Sequence, residues 1–446
     1  MSRIAMVDDN VILIKNARIL DPASGKDETG SVLVKNGVIE KIGKSVSSKV
    51  AEEIDAQNLW LFPGLVDMHV HLRQPGQDSK ETFATGTRAA AAGGVTRVVT
   101  MANTIPVLDN KTGIEFVVER SKSEGCVHVH PVGSVSKGLE GKEISDIGEI
   151  VLAGAVALSD DGKGVMDAQL FRRAMEYSTI FDVPIISHCE DHNLSQGGAM
   201  NEGQTSTFIG LPGIPAEAET VMVSRDILLA KCTGARLHIA HVSCGESVDL
   251  IRTYKKRGVK VTAETAMHYL LLTDKAVEGY NTNAKMNPPL RTEEDRQALL
   301  EGLRDGTIDA IASDHAPHTR GEKSQEFDLA PFGIVGLETT LPLMMSYLPQ
   351  QGLNPLDLIR QMTVAPCEIL KLPAGKLEPG MIADLTLWNP TGESQIDPNL
   401  FFSKGHSTPF SGWKVTGRVE ATIVAGRVVY APSYSPAASL AAARPS

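Results

Sequence analysis

Residues 65–71 read LVDMHVH, a short apolar run that ends in two histidines two positions apart. Seven further runs follow along the chain, each apolar at its start and polar at its end, with segments of helical spacing between them. Strands buried on both faces read as apolar runs, and repeated strand-helix units build parallel sheets. Eight such units predict an α/β fold, a TIM-type (β/α)8 barrel with its chemistry at the carboxyl ends of the strands. The predicted strand runs cover residues 65–71, 95–103, 126–134, 155–161, 183–190, 237–243, 260–268 and 309–318.

The flanks of the predicted barrel contain short strand segments instead. Asn36-Gly37 is a strong hairpin turn, and Ala425-Gly426 is a weaker one. Neither flank has enough strands for a core of its own, so we expect the two to meet in one small β-sandwich domain. The predicted divisions are residues 1–62 and 371–430 for this domain, 63–370 for the barrel, and 431–446 for a disordered tail rich in Ala, Ser and Pro.

Composition limits the classes of partner and the compartment. The 446 residues carry 43 Lys and Arg against 54 Asp and Glu, a net charge of −11, without a block of like charge. We therefore expect a small-molecule substrate, with neither nucleic acid nor a membrane as partner. Five scattered cysteines without a CxxC pair, and acidic residues at Asp8 and Asp9 where a signal peptide would be apolar, favour the cytoplasm.

Metal-ligating residue types gather at the predicted strand ends. His69 and His71 are two apart, so on a strand they point to the same side and could serve one ion. Any one such residue is more often a hydrogen-bonded histidine or a turn aspartate, but the set at one rim predicts a site for Zn²⁺ or a similar divalent ion. Strand alternation does not choose between the adjacent aspartates. The other candidates are Asp160 and Asp161 after run four, His188 after run five, His241 after run six and Asp314 after run eight.

Four other residues have a type or spacing that could suggest a metal site. His128 and His130 have the same spacing, but Pro131 and an apolar stretch follow them, so metal binding there is the weaker reading. Cys189 adjoins His188, and alternation turns its thiol toward the helix layer. Lys163 lies in a glycine-rich turn past strand four, where a surface lysine is the expected role.

Substrate chemistry is indicated by three polar residues near the same rim. Asp314 lies in ASDHAPH, and a carboxylate close to a metal-bound water can accept its proton and deliver it to a leaving nitrogen. Arg73 and Asn103 are types that hold a substrate carboxylate, Arg by a bidentate fork and Asn by its amide. Taken singly, each would more often be a cap, a turn or a solvated loop residue.

Together these motifs resemble the amidohydrolase superfamily and, within it, the dihydroorotases of the bacterial type I group. The resemblance runs from about residue 11 to residue 430. It departs from the family pattern at Gln74, where a glutamate is usual, and at Ala266–Tyr269. The motifs, in chain order, are PGLVDMHVHLRQPG, TMANTIP, ALSDDGKGV, SHCED, AHVSCGESV, NAKMNPPLR, IASDHAPH and PFGIVGLET.

The resemblance implies a complete set of site residues. Asp161 is implied as the bridge between metals, a position where other subgroups use a carboxylated lysine, and one or two zinc ions are expected. The implied metal ligands are His69, His71, Asp161, His188, His241 and Asp314. The implied substrate contacts are His71, Arg73, Asn103, Asn287, His318, Phe332 and Gly333.

The implied reaction is the reversible hydrolysis of a cyclic amide in pyrimidine (UMP) biosynthesis. A metal-held hydroxide adds to the ring carbonyl of dihydroorotate, and Asp314 moves the proton to the ring nitrogen to give N-carbamoyl-L-aspartate. The resemblance also implies a homodimer and a complex with aspartate carbamoyltransferase. Two alternatives stay open: another cyclic amidohydrolase such as a hydantoinase or allantoinase, and an inert scaffold subunit. Residues 197–213 are predicted to form a mobile rim.

Overall fold

The apolar runs form a barrel of eight parallel strands in the computed structural model, which describes residues 11–44, 46–48 and 52–432. Neighbours in the sheet follow chain order, and the ring closes where the His71 amide donates to the His315 carbonyl at 2.8 Å. The prediction of a (β/α)8 barrel is confirmed. Its strands are β6 (Leu65–Val70), β7 (Val95–Thr100), β8 (His128–Gly133), β9 (Ala157–Leu158), β10 (Ile185–Ser187), β13 (Leu237–Ile239), β14 (Val261–Ala266) and β15 (Ala310–Ala312).

Each predicted run contains one of these strands, but four of the strands are much shorter than their runs. β9, β10, β13 and β15 have only two or three residues. The chain leaves the sheet where the polar residues begin, because those side chains face the open end of the barrel. The loops at this end therefore carry most of the candidate site.

Helices cover the outside of the barrel, and their ends are capped by local hydrogen bonds. Asp167 caps the helix Ala168–Phe181 by accepting from two backbone amides, and Thr292 and Asp295 form a reciprocal capping box at the helix Glu293–Arg304. The longer helices are α1 (Phe83–Ala92), α2 (Lys111–Glu124), α4 (Ala168–Phe181), α7 (Glu217–Thr233), α8 (Gly245–Lys256), α10 (Glu293–Arg304) and α12 (Thr340–Tyr347). The shorter ones are α3 (Ile147–Leu152), α5 (His192–Ser195), α6 (Gln204–Ile209), α9 (Met267–Leu271), α11 (Arg320–Lys323), α13 (Pro355–Gln361) and α14 (Val364–Leu370).

Strands from both flanks share a second eight-stranded sheet. The strand Trp60–Pro63 pairs with Val11–Asp21 on one side and with Leu385–Gln395 on the other, which joins the two flanks of the barrel in one sheet. Both predicted hairpin turns are present: Asn36-Gly37 and Ala425-Gly426 have positive φ at each residue and link antiparallel strands. The strands are β1 (Val11–Asp21), β2 (Lys26–Lys35), β3 (Val38–Gly43), β4 (Glu52–Asp55), β5 (Trp60–Pro63), β16 (Leu385–Gln395), β17 (Lys414–Val424) and β18 (Arg427–Tyr430).

A buried polar contact fastens this second sheet to the barrel. The Arg97 guanidinium on β7 donates to the Asp384 carboxylate at 2.6 Å, and the His128 ring lies 3.2 Å from the same carboxylate. The Arg97 side chain is 5% exposed and the Asp384 side chain is 6% exposed. His128 and His130 thus lie at the junction with the second sheet, away from the strand ends that carry His69, His71, His188 and His241.

Three sequence predictions concern the edges of this architecture. Residues 197–213 contain α6 and a two-stranded ribbon of β11 (Met200–Asn201) and β12 (Gly213–Ile214), and their mobility stays a prediction. The division into domains also stays a prediction, and the predicted tail lies outside the described residues from residue 433 onward. Within the described ranges, no helix is long and apolar enough to cross a membrane.

Candidate metal centre and active site

Six candidate ligands converge where the barrel strands end. Asp161 lies at the centre, with its carboxylate oxygens 3.3 Å from His69 Nε2 and 3.5 Å from His71 Nε2. The same carboxylate is 3.6 Å from His241 Nε2 and 3.7 Å from His188 Nδ1. Asp161 therefore belongs to two groups of three possible ligands, one with His69 and His71 and the other with His188 and His241.

Asp314 borders the first of these groups. Its Oδ1 is 3.4 Å from His71 Nε2 and 3.8 Å from His69 Nε2. Burial alone would raise the pKa of Asp314, but the neighbouring imidazoles of His71, His69 and His241 hold it below the usual value. Asp314 is therefore a carboxylate at neutral pH and is able to accept a proton.

Hydrogen bonds outside the centre fix which ring nitrogen faces Asp161 in three of the four histidines. Asn103 Nδ2 donates to Asp161, so its Oδ1 is the atom that accepts from His71 Nδ1 at 2.9 Å. Glu264 accepts from His69 Nδ1 at 2.7 Å, and Glu190 accepts from His188 Nε2 at 2.9 Å. In each case the remaining nitrogen presents a lone pair to the centre, which is the orientation that metal-binding histidines require.

The buried atoms of the centre fit a divalent cation. His69 Nε2 and Asp161 Oδ1 are buried and lack a hydrogen-bond partner among the described residues, and buried polar atoms are rarely left unpaired. His188 Nδ1 and His241 Nε2 face each other at 2.9 Å. Imidazole nitrogens and carboxylate oxygens without a thiolate are the donor set of Zn²⁺ and similar ions.

Sequence reasoning missed Glu264 and Glu190. Glu264 is the one acidic residue inside the buried strand β14, and its hydrogen bonds with His238 and His69 outweigh burial and lower its pKa to about 2. Glu190 stands two residues after His188 and also accepts from Asn287 Nδ2 at 2.8 Å. A charged residue within an apolar strand run was the available sign for Glu264, whereas Glu190 had none beyond its place next to a candidate ligand.

The adjacent aspartates point in different directions. Asp160 accepts from the backbone amides of Val135 and Ser136, at 2.7 and 3.0 Å, and so holds the loop after β8. Asp161 faces the histidines instead. Strand alternation could not distinguish them, because β9 ends at Leu158 and both aspartates lie in the loop beyond it.

Three candidate residues have a left-handed backbone. The φ angles are 61° at Arg73, 34° at His241 and 48° at Asp314, values that side-chain-bearing residues rarely adopt. Such strain persists where the surrounding structure enforces it, and it is frequent at functional sites. All three positions lie in loops that follow a barrel strand.

The predicted substrate contacts form a linked group beside the centre. Arg73 Nε donates to the Pro317 carbonyl at 3.1 Å, and Arg73 Nη2 lies 3.3 Å from His318 Nε2. The same His318 nitrogen is 2.8 Å from the Phe332 carbonyl oxygen. Arg73 Nη1 has no hydrogen-bond partner among the described residues, so the guanidinium retains donors for an anion. Burial lowers the pKa of Arg73 to about 10, which leaves it charged.

The remaining predicted substrate contacts differ in whether their polar groups are already hydrogen-bonded within the protein. Both polar groups of Asn103 are engaged, with His71 and Asp161, whereas the Oδ1 of Asn287 is not used by the contact with Glu190. Gly333 has a φ of 124°, and a Cβ there would stand 2.8 Å from the Ala316 carbonyl oxygen, so the position requires glycine. Substrate binding by these residues stays a prediction.

Comparisons with known proteins identify the family. A family model described as dihydro-orotase-like matches residues 59–247. The dihydroorotase of Syntrophus aciditrophicus is 52% identical over 422 residues, which covers 94% of this chain and 99% of that protein. The dihydroorotase of Pelotomaculum thermopropionicum is 52% identical over 419 residues, which covers 94% and 98%. The chain belongs to the dihydroorotase family.

Solved structures with the same fold include other cyclic-amide enzymes. The L-hydantoinase (dihydropyrimidinase) of Arthrobacter aurescens aligns with a TM-score of 0.86 at 25% identity and covers 94% of this chain and 96% of that chain. The dihydropyrimidinase of Brevibacillus agri aligns with a TM-score of 0.84 at 22% identity, covering 94% and 95%. This member of the dihydroorotase family therefore has the barrel and second sheet of these proteins.

The two departures from the dihydroorotase pattern have structural partners. Gln74 accepts from the Phe83 amide and donates to Asp78, so it holds the loop after β6 against the start of α1. Tyr269 is buried, and its hydroxyl donates to the Pro288 carbonyl at 2.7 Å, next to Asn287. Both substitutions thus take part in loop contacts, and neither residue is a candidate ligand.

The other residues whose type or spacing could suggest a metal site lie outside the cluster around Asp161. His130 is beside Arg97 at the junction with the second sheet, where burial and that charge lower its pKa to about 4. Cys189 is buried and its thiol points to Asp226 on α7. Lys163 is exposed in the turn that follows Asp161. Lys163 is therefore not part of the cluster around Asp161.

Proposed function

We propose that the protein is a dihydroorotase that interconverts (S)-dihydroorotate and N-carbamoyl-L-aspartate in pyrimidine biosynthesis. The observation that carries this proposal is the cluster of histidines around Asp161 with Arg73 beside it, at one end of the barrel. A cyclic amide needs an activated water and an acid for its leaving nitrogen, and an anionic substrate needs a cation. The cluster offers residues for each of these tasks.

The centre suits a divalent metal, and we assign zinc, as one or two ions. His69, His71, Asp161 and Asp314 would hold one ion, and Asp161, His188 and His241 would hold a second. When bound, such an ion supplies Lewis acidity toward a carbonyl oxygen and lowers the pKa of water. The chain's own part is to keep the imidazole lone pairs aimed inward through Asn103, Glu264 and Glu190.

Asp314 is assigned the proton transfer. Its carboxylate is ionised at neutral pH and can take the proton of the attacking water. It then delivers this proton to the ring nitrogen as the C–N bond breaks, and the same groups act in reverse during ring closure. The contact with His71 at 3.4 Å holds the carboxylate toward the centre.

Arg73 is assigned the substrate carboxylate. Its charged guanidinium keeps unused donors, and His318 and the Phe332–Gly333 backbone lie next to it. Asn287 offers an acceptor oxygen to the ring. This arrangement favours a ring with a carboxylate over a neutral hydantoin, because a buried cation without a partner anion is unfavourable.

The proposed assembly rests on the family resemblance alone, whereas the proposed location also rests on the sequence. We expect a homodimer and a complex with aspartate carbamoyltransferase. The scattered cysteines without a CxxC pair and the acidic residues Asp8 and Asp9 favour the cytoplasm. Size measurements with and without the carbamoyltransferase test the assembly directly.

The experiment that tests the function is a parallel assay of zinc-loaded protein on L-dihydroorotate and hydantoin. Metal content is measured on the same sample, before and after treatment with a chelator. We expect turnover of dihydroorotate that disappears with the chelator and returns with Zn²⁺. Activity on hydantoin alone would place the enzyme with the hydantoinases, and metal binding without any turnover would support the inert scaffold.

A further inference from the structure

A buried lysine lies behind the predicted substrate contacts. Lys323, at the end of α11, is 4% exposed, and its ammonium donates to three backbone carbonyls. The acceptors are the oxygens of Gly333 at 2.9 Å, Pro331 at 3.0 Å and Lys285 at 3.4 Å. An ammonium has three donors, so none is left for a substrate. Lys323 therefore cannot bind substrate directly while these contacts hold.

The three carbonyls belong to two segments that carry predicted substrate contacts. Pro331 and Gly333 flank Phe332, in residues 327–333, which we name the Phe332 loop. Lys285 is two residues before Asn287 in the chain. The Gly333 amide also donates to the Lys285 carbonyl at 3.0 Å, so the two segments lie side by side with Lys323 beneath both.

Lys285 supports the same loop from another direction. Its ammonium donates to the Phe327 carbonyl at 2.5 Å and to the Asp328 carbonyl at 3.2 Å. The Phe332 ring centroid is 4.7 Å from this ammonium, within the range of a cation–π contact. Two ammonium groups thus hold the backbone and the ring of the Phe332 loop.

Burial of the Lys323 ammonium without an ion pair costs free energy. Among the described residues Lys323 forms no ion pair, and burial together with the charge of Lys285 lowers its pKa to about 7. Burying a cation opposite carbonyls costs free energy that a surface lysine would not incur. The three carbonyl contacts of this one ammonium add to the direct bond between the Gly333 amide and the Lys285 carbonyl and link both segments to α11.

We propose that Lys323 is a positioning residue that sets the distance between Asn287 and the Phe332–Gly333 backbone, and thereby the affinity for substrate. The proposal rests on the assignment of these residues to substrate binding in the proposed function. Lys323 lies on α11, apart from the strand ends that carry the candidate ligands. Its loss should therefore affect KM more than kcat.

The test compares Lys323→Met with wild type and with Lys275→Met, which removes an exposed lysine in a neighbouring segment. We expect KM for dihydroorotate to rise about tenfold in Lys323→Met, since displacing one positioned hydrogen bond has an effect of that order. The value of kcat and the zinc content should stay within about threefold of wild type. Lys275→Met should match wild type in each measurement.

A second readout does not depend on turnover. Amide hydrogen exchange in peptides that cover residues 327–333 should accelerate in Lys323→Met and stay unchanged in Lys275→Met, because the loop loses its anchor. This readout separates the two proposals: faster exchange in a protein without dihydroorotase activity would leave Lys323 as the loop anchor and reject the function.

Two results would overturn the proposal. One is unchanged KM together with unchanged exchange in Lys323→Met. The other is a loss of kcat, zinc and thermal stability in parallel without a selective rise in KM, which would make Lys323 a general stabilising residue. If Lys323→Met does not fold, Lys323→Arg is the test variant. Its planar guanidinium keeps the positive charge but cannot reproduce the three diverging donors of the ammonium. A KM equal to that of wild type in Lys323→Arg would then reject the proposal.

Discussion

Adjacent aspartates at the end of β9 have separate tasks, and substitution can distinguish them. Asp161→Asn removes the charge that both ligand groups share, so zinc affinity should fall by about tenfold or more. Asp160→Asn keeps an acceptor for the Val135 and Ser136 amides and leaves the centre untouched. The zinc content of each variant after dialysis against a zinc buffer tests this difference. An equal loss of zinc in the two variants would contradict the assignment of Asp161 as the shared ligand.

Asp314 offers a test of the proton transfer. Asp314→Ala should lower kcat for dihydroorotate by about 10²–10⁴, the range that a positioned acid-base group contributes. The fold should persist, because the residue lies in a loop beyond β15. Circular dichroism and zinc content accompany the kinetic measurement. More than a few per cent of wild-type kcat in correctly folded, metal-loaded variant would exclude Asp314 as the proton carrier.

At the scale of elements, one carboxyl joins the start of α12 to residues 402–403. Glu338 accepts from the Phe402 amide at 2.9 Å and from the Ser403 amide at 3.3 Å. Burial, with some contribution from Glu81, raises its pKa to about 7 from an ordinary value near 4.5. The folded state therefore binds a proton more tightly than the unfolded state does, and this stabilisation is present at low pH.

The raised pKa of Glu338 makes the stability of the folded state depend on pH. The stabilisation should be complete below about pH 4.5 and should be lost as the pH rises toward 7. Glu338→Gln mimics the protonated form, so the fall in Tm between pH 5 and pH 8 should be smaller in this variant than in wild type. Thermal unfolding at the two pH values checks this, and parallel pH dependence in both proteins would disprove the assignment.

The elements also indicate what sequence alone could predict. The barrel was predictable because buried strands read as apolar runs, and His69 and His71 were predictable because alternation places both on one face. Asp161 could be chosen over Asp160 only by resemblance, since both lie in a loop. Glu264 and Lys323 were not found, because their partners come from segments far away in the chain and no local pattern records those contacts.

At the scale of the molecule, the buried Arg97–Asp384 pair joins the barrel to the second sheet. Asp384→Asn removes the charge that balances a guanidinium only 5% exposed, and breaking such a buried pair costs about 3–5 kcal/mol. Tm should fall by several degrees. Asp27→Asn is the matched control, because its pair with Arg18 is 44–46% exposed and should contribute less than about 1 kcal/mol. Similar Tm values for the two variants would contradict this role.

The pairing of β5 with β16 also has a consequence for synthesis on the ribosome. Trp60 and Leu61 pair with Trp388 and Leu387, which are synthesised much later. The ribosome must translate the whole barrel between β5 and β16, at about 5–20 residues per second. During that interval β5 presents an open edge with unpaired backbone groups, which is the kind of surface that aggregates or recruits chaperones. Nascent chains stalled before residue 385 should therefore depend on chaperones more than chains stalled after residue 424.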